Sequence, residues 1–277
     1  MEIVIVDDAE QVARHAADAV VRALRRKPTL VLGLATGSSP VAAYEELARR
    51  VQAGELDFSG VQGFALDEYV GLRATHPESY ATVIARDVVA PLHMTPSLVH
   101  VPDGRGQDLD AAARDFDAAI AASGGIDVQI LGIGANGHIG FNEPGSSLRS
   151  RTRVKTLAAR TRADNARFFD SFEDVPLHCI TQGLGTISEA RELILVAQGA
   201  TKAAAVAAAA EGPVTAMCPA SVLQLHPRAT MILDAKAAAD LAHRDYYLHV
   251  AANKGRVQEY AGLSDYPPTG LELSAAR

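Results

Sequence analysis

Two adjacent carboxylates, Asp67 and Glu68, end the apolar run Gly63-Phe64-Ala65-Leu66. The carboxyl end of a buried strand is where open α/β sheets bind ligands, and burial there raises a carboxylate toward the range of a working base. The same position suits a helix-capping or ion-paired acid, and spacing leaves both readings open. Further along, Gly132-Ile133-Gly134-Ala135-Asn136-Gly137 is followed by His138-Ile139-Gly140-Phe141-Asn142-Glu143-Pro144, which crowds Asn136, His138 and Glu143 together. An imidazole beside a carboxylate and an amide can take and return a proton near neutral pH, whereas a polar turn bonding its own backbone would need no ligand. A third group, Thr36-Gly37-Ser38-Ser39-Pro40, lies between a strand and a helix start, where free amides and the helix dipole favour an anion such as phosphate. It lacks the lysine and spacing of a Walker loop, which disfavours a nucleoside triphosphate.

Short β-branched runs alternate with Ala-rich stretches, the pattern of an open, doubly wound, mostly parallel sheet with helices on both faces. Strands are expected at Glu2 to Val6, Leu30 to Leu34, Val61 to Leu66, Leu98 to Val101, Ile126 to Leu131, Glu192 to Val196 and Thr230 to Leu233. Helices are expected from Ala9 to about Arg26, from a Ser39 cap with Pro40 in the first turn to about Arg50, and from Ser79, Gln107, Lys202 and Ala235. No repeat or Pro/Gly/Ser-rich linker divides the chain, so one domain over 1–277 is expected.

The Gly132/Gly134/Gly137 spacing matches a dinucleotide-binding turn, but that turn should open a helix and meet an acid about 20 residues on. Here no Asp or Glu occurs from Pro144 through Ala163, while Arg149, Arg151, Arg153, Lys155, Arg160 and Arg162 are present. The first four fall on every second residue, so an extended segment would carry them on one face, either as a charge-protected edge strand or as an anion-facing surface. Tyr69, His76 and Tyr80 read as packing or rim residues.

The 277 residues carry 26 Lys and Arg against 33 Asp and Glu, a net charge of −7, which disfavours nucleic acid and anionic membrane as partners. The absence of Trp, with seven Phe and seven Tyr, argues against a base-stacking surface. The acidic N-terminus does not resemble a secretory signal, and no apolar run is long enough for a membrane span. Two cysteines, Cys179 and Cys218, without metal-ligand spacing, imply no disulfide framework and no metal, and suit a reducing cytoplasm as buried structural thiols.

Taken together, Leu66-Asp67-Glu68-Tyr69-Val70-Gly71-Leu72, His76-Pro77-Glu78-Ser79-Tyr80 and the run Gly134 to Pro144 closely resemble the glucosamine-6-phosphate deaminase family. The likeness continues through Ser146 to Leu157, Arg167-Phe168-Phe169-Asp170 and Ser221 to Pro227, in order over most of the chain. It implies a cofactor-independent hydrolase that converts glucosamine 6-phosphate and water to fructose 6-phosphate and ammonia in amino-sugar catabolism. By resemblance His138 opens the sugar ring, Glu143 and Asn136 orient it, and Asp67 moves the C2 proton to C1. Gly37, Ser38, Ser39, Arg167 and Lys202 match the phosphate ligands, and about 157–179 resembles a mobile lid. Some family members carry aspartate at the place of Asn136. Ser146, Arg153, Lys155 and Thr156 match a site at which N-acetylglucosamine 6-phosphate activates some members between subunits, with Tyr246 or Tyr247 as partner. Members differ in assembly, so a homo-oligomer is a candidate state. Two alternatives are a 6-phosphogluconolactonase, similar in fold but not in the Asp67 and His138 motifs, and a non-catalytic sugar-phosphate sensor, which would need a DNA-binding module that does not precede Glu2.

Overall fold

The computed structural model describes residues 1–73 and 75–260. Its strands are β1 (Glu2–Val6), β2 (Val31–Leu34), β3 (Gln62–Ala65), β4 (Asp67–Tyr69), β5 (Val99–His100), β6 (Val128–Leu131), β7 (Arg153–Thr156), β8 (His178–Thr181), β9 (Glu192–Ala197) and β10 (Ala229–Asp234). Its helices are α1 (Ala9–Arg26), α2 (Ser38–Gln52), α3 (Tyr80–Ile84), α4 (Leu109–Ala122), α5 (Ala159–Asn165), α6 (Leu184–Ser188), α7 (Ala203–Ala210) and α8 (Arg244–Tyr260). Seven strands form one sheet in the order β1-β10-β9-β6-β2-β3-β5, every neighbouring pair parallel. The expected α/β class is therefore present, built from runs such as Glu192–Ala197 and Val128–Leu131 that are buried on both faces. The expected domain was drawn to Arg277, and residues 261–277 lie outside the described residues.

Local chemistry explains the element ends. Asp8 caps α1 by accepting from the Gln11 N–H at 2.9 Å. The start of α2 departs from expectation: Gly37, not Ser39, is its cap, with φ of 99° and no side-chain cap bond. Only a residue without a Cβ holds that angle comfortably, and the helix's first amides stay free of a side-chain acceptor. The helix expected from Ala235 is a set of turns instead. The Asp234 carboxylate accepts from the Ala237 N–H at 2.6 Å and from the Gly199 N–H at 3.0 Å, which ties the chain into a tight turn. A new helix then starts at Arg244, where Glu211 accepts from the Ala242 and His243 amides.

The strands β4, β8 and β7, in that order, make a second, antiparallel sheet. It is joined to the first at Leu66, whose N–H donates to Leu34 O in the parallel sheet at 2.9 Å and whose C=O accepts from Gln182 N beside β8 at 2.8 Å. The fully buried Gln182 also donates its side-chain amide to Ala65 O at 3.0 Å. The large core is filled by Tyr44, Phe58, Phe64 and aliphatic side chains, and a smaller one of Tyr69, Phe141, Leu157 and Cys179 lies against the small sheet. Among the described residues, no helix is long and apolar enough to cross a membrane.

At the opposite rim Asp127 accepts from the Val31 amide at 2.8 Å, Lys27 at 2.6 Å and Arg191 at 3.1 Å. Asp127→Ala leaves the strand amide and two cations without this acceptor. It should lower unfolding free energy by about 1–3 kcal/mol, read as a lower urea midpoint at unchanged slope.

Candidate functional site

The carboxyl ends of β2 and β6 form a crevice: from β2 the chain runs to β3 on one side, whereas β6 adjoins β9 on the other. The Gly37 loop leaves one strand and the Gly132 loop leaves the other. A Cβ at Gly132 would lie 3.7 Å from the Pro40 ring, so the two loops touch. The Gly132 loop opens no helix, against a dinucleotide site and as its lack of a following acid implies. Instead it folds back on itself, with Gly134 N bonded to His138 O at 2.9 Å and Gly137 in the left-handed region at φ 84°. Gly134 is required by the imidazole it faces: a Cβ there would stand 2.1–2.4 Å from three atoms of the His138 ring.

Within that loop the three expected residues meet. Asn136 Nδ2 donates to Glu143 Oε2 at 2.7 Å, and Asn136 Oδ1 accepts from the His138 N–H at 3.2 Å. His138 Nδ1 faces the same Glu143 oxygen at 3.8 Å and is buried without a closer partner. The other Glu143 oxygen accepts from Ala158 N at 3.1 Å, at the start of α5. Burial holds the His138 imidazole below its ordinary value and the Lys202 charge acts in the same sense, while Glu143 and Asp164 oppose them.

Strand alternation separates the two carboxylates of β4. Glu68 accepts from the Tyr80 and Ala81 amides, both at 2.9 Å, and from its neighbour Tyr69 at 2.8 Å, so it satisfies the first two amides of α3, whose N-cap is Ser79. Asp67 faces the other way, toward Gly140, whose missing Cβ would lie 3.4 Å from Asp67 Oδ2. It is 5% exposed, and burial, helped by the Glu68 charge, pushes its carboxyl up to about 8 against hydrogen bonding from Phe141 N and Thr181.

The phosphate candidates lie around the same crevice. Ser38 and Ser39 open α2 behind Gly37, and Lys202 follows β9 in a 3-10 turn (Ala200–Lys202). Arg167 sits in the 3-10 turn Ala166–Phe168 after α5, and its charge, with that of Arg160, reaches Lys202. Burial first, then these two cations, hold the Lys202 ammonium below its ordinary value. Segment 157–179 packs down: Asn165 donates to Tyr69 Oη at 2.9 Å, and the Phe169 ring lies 5.7 Å from Tyr69 and 5.8 Å from His76. Tyr69, His76 and Tyr80 are packing residues of this contact, as their spacing suggests.

The basic stretch is mostly committed internally. Arg151 pairs with Asp117 at 3.1 Å and Glu189 at 2.6 Å, Arg162 donates to Val175 O and Phe172 O, and only Arg153 and Lys155 lie in the edge strand β7. Ser146 is buried and donates to Glu143 O at 2.7 Å, and Arg153 donates to Asn142 Oδ1 at 2.9 Å. Thr156 is exposed beside His178, and Lys155 is half-buried. Tyr247 donates to Glu211, away from β7 in α8, and Tyr246 is exposed. Cys179 is buried in β8, and Cys218 packs under Gly137. Of the residues that brace this loop, Asn142 falls within the Gly134–Pro144 run without a role of its own read from it, and Thr181, between Ile180 and Gln182, belongs to no motif in the sequence. Among the described residues, no three His, Cys, Asp or Glu side chains gather as a metal site would require.

The chain matches the model of the glucosamine-6-phosphate isomerase and 6-phosphogluconolactonase family over residues 7–232, and it belongs to that family. Within it, the glucosamine-6-phosphate deaminase of Pseudarthrobacter chlorophenolicus is 58% identical over 254 residues, 92% of this chain and 98% of the relative. That of Streptomyces coelicolor is 54% identical over 92% of this chain and 98% of its own. A solved monomeric glucosamine-6-phosphate deaminase superposes with a TM-score of 0.85 at 38% identity, over 87% of this chain and all of the other. The 6-phosphogluconolactonase of Trypanosoma cruzi, at 20% identity, 0.68 TM-score and coverage of 87% and 97%, shares the fold.

Burial and the Glu68 charge disfavour the ionised form of Asp67, so its ionisation costs the folded state. The unfolded chain gives up this proton near 3.8 and the folded chain only near 8, so stability falls as pH rises through that window. Asp67→Asn should therefore be more stable than the parent at pH 9, by on the order of 5 kcal/mol, with the gap closing toward pH 4. Thermal unfolding of both proteins across this range checks it.

Proposed function

We propose that this chain is a glucosamine-6-phosphate deaminase, with Asp67 as its carbon base and His138 as its ring-opening acid/base. The observation that carries the reading is the pairing of two differently tuned groups in one crevice. Asp67 is buried against Gly140, which lies between His138 and Glu143 in the loop that carries the Asn136–His138–Glu143 assembly. The identity to deaminases over nearly the whole chain supports this substrate over a lactone.

The phosphate dianion is held by the free amides behind Gly37, the Ser38 and Ser39 hydroxyls, Lys202 and Arg167. His138 takes the proton of the anomeric hydroxyl and returns it to the ring oxygen, opening the pyranose. Its environment favours the neutral imidazole that can accept that proton. Asp67 as carboxylate removes the C2 proton of the open chain, giving an enolamine, and returns the proton to C1. The C2 iminium so formed adds water and expels ammonia, leaving the ketone of fructose 6-phosphate. One carboxylate serves both carbons when they lie on one face. Segment 157–179 acts as a lid that carries Arg167 to the phosphate and excludes bulk water from the enolamine.

Activation by N-acetylglucosamine 6-phosphate at Ser146, Arg153, Lys155 and Thr156 would have to draw Ser146 from Glu143 O and Arg153 from Asn142. Such binding would be felt directly in the catalytic loop.

Ammonia and fructose 6-phosphate should appear in equal amounts from glucosamine 6-phosphate. Asp67→Asn should lower kcat by about 10²–10⁴-fold with KM little changed. An Asp67→Asn enzyme of parental rate, or a parent that opens 6-phosphogluconolactone instead, would sink the assignment.

A second expectation concerns Asn136, whose amide stands 2.7 Å from Glu143. Asn136→Asp adds an anion beside His138, favours the imidazolium and so should move the acid limb of the rate profile to higher pH. Superimposed pH profiles of the two proteins would contradict it.

A further inference from the structure

Cross-strand register sets Asp67 of β4 directly opposite Thr181 of β8, and Thr181 opposite Arg153 of β7. Paired residues of antiparallel strands point to the same face, their Cβ atoms about 5 Å apart. Thr181 is fully buried, and its hydroxyl oxygen accepts from the Phe141 N–H at 3.1 Å. The site of the missing Gly140 Cβ lies 3.1 Å from Thr181 Oγ1 and 3.4 Å from Asp67 Oδ2, so both oxygens border one small space. A β carbon would fill it, and Gly140 keeps it open.

The hydroxyl has one proton to give. It can go to Asp67 or to Gln182 O over a long 3.3 Å, and that carbonyl already receives the Asn142 side-chain amide at 2.8 Å. The Gln182 carbonyl therefore loses little if the hydroxyl turns away, whereas an ionised Asp67 gains a charge-assisted donor in a water-poor place. We propose that Thr181 is the positioning residue of the carbon base: its hydroxyl, fixed by the Phe141 amide, turns its proton to Asp67 when that carboxyl ionises and aims the carboxylate across Gly140. The inference rests on Asp67 being the base. It deepens that assignment, because it explains how a carboxylate disfavoured by burial is kept available at neutral pH. Consistent with this, Thr181 is one of two groups, with the Phe141 amide, that favour the ionised form of Asp67.

Other groups act on Asp67 as well: Glu68 on its own strand, Tyr69, Tyr80 from α3 and Cys179 from β8. None is altered by a change at position 181, so a change in profile reads the hydroxyl. The experiment compares Thr181→Val, Thr181→Ser, Asp67→Asn and the parent, following kcat/KM against pH with C2-deuterated substrate so that C–H cleavage limits the rate. Thr181→Val should move the acid limb up by at least about half a pH unit and lower the plateau about tenfold, with KM within about twofold of the parent. Thr181→Ser, which keeps the hydroxyl, should overlay the parent. A Val profile on top of the parent's, or a Ser profile displaced as far as Val's, overturns the proposal. Asp67→Asn at parental rate overturns the base assignment itself, and with it the role of Thr181. Should Val fail to fold by circular dichroism, Thr181→Ala gives the same comparison without an added methyl.

Discussion

The chain changes sheets at Leu66, and the site depends on that change. Its N–H completes the pairing of β3 with β2, and its C=O begins the pairing of β4 with β8. A strand that simply continued in the parallel sheet would carry Asp67 into a ladder of apolar neighbours. By passing to a second, antiparallel sheet, the backbone remains fully bonded while the acid is brought over the crevice between β2 and β6. The Gln182 side chain bonded to Ala65 O fixes this joint from the other sheet, so β8 cannot slide relative to β3 without breaking it.

From this joint follows the division of labour between adjacent carboxylates. Successive residues of a strand face opposite sides, so Asp67 and Glu68 cannot share an environment. Glu68 receives three amides and fixes the start of α3. Asp67 is left with burial, the Glu68 charge and the Thr181 and Phe141 groups, a balance that leaves it able to hold or release a proton near neutrality. The crevice uses the same principle on its other wall, where burial biases His138 toward the neutral imidazole and Glu143 is held in place by Asn136 and Ala158. Environment, more than position in the sequence, thus sets apart what Asp67 and Glu68 can do.

Much of the large sheet was legible because its strands are apolar runs bounded by glycine, proline or a capping acid: Glu2–Val6, Val31–Leu34, Val128–Leu131 and Glu192–Ala197 all fall where periodicity puts them. The small sheet was not. Asp-Glu-Tyr, Arg-Val-Lys-Thr and His-Cys-Ile-Thr are three or four residues long and polar at one or more positions, so they carry neither a buried run nor a sustained alternation. Charge spacing suggested an extended segment from Arg149 to Lys155, but strand pairing begins only at Arg153, because Asp117 and Glu189 hold Arg151 away from the edge. Of the site, the clustered Asn136, His138 and Glu143 were visible as a group. The split between Asp67 and Glu68 was not, since it depends on where β3 ends and β4 begins. Thr181 became visible only with the pairing of β4 and β8.

Charge in the crevice supplies the last step. The chain is acidic overall, yet Arg167 and Arg160 act on Lys202 there and make its charge harder to hold. Asp164 on α5 relieves part of that repulsion and also acts on His138. On the proposed function a phosphate dianion relieves more, because it brings two negative charges to the free amides of α2 as well as to the cations. On that reading binding energy from the phosphate, remote from the reacting carbons, favours closure of segment 157–179 over the sugar, where exclusion of water would strengthen the charge interactions of Asp67 and His138.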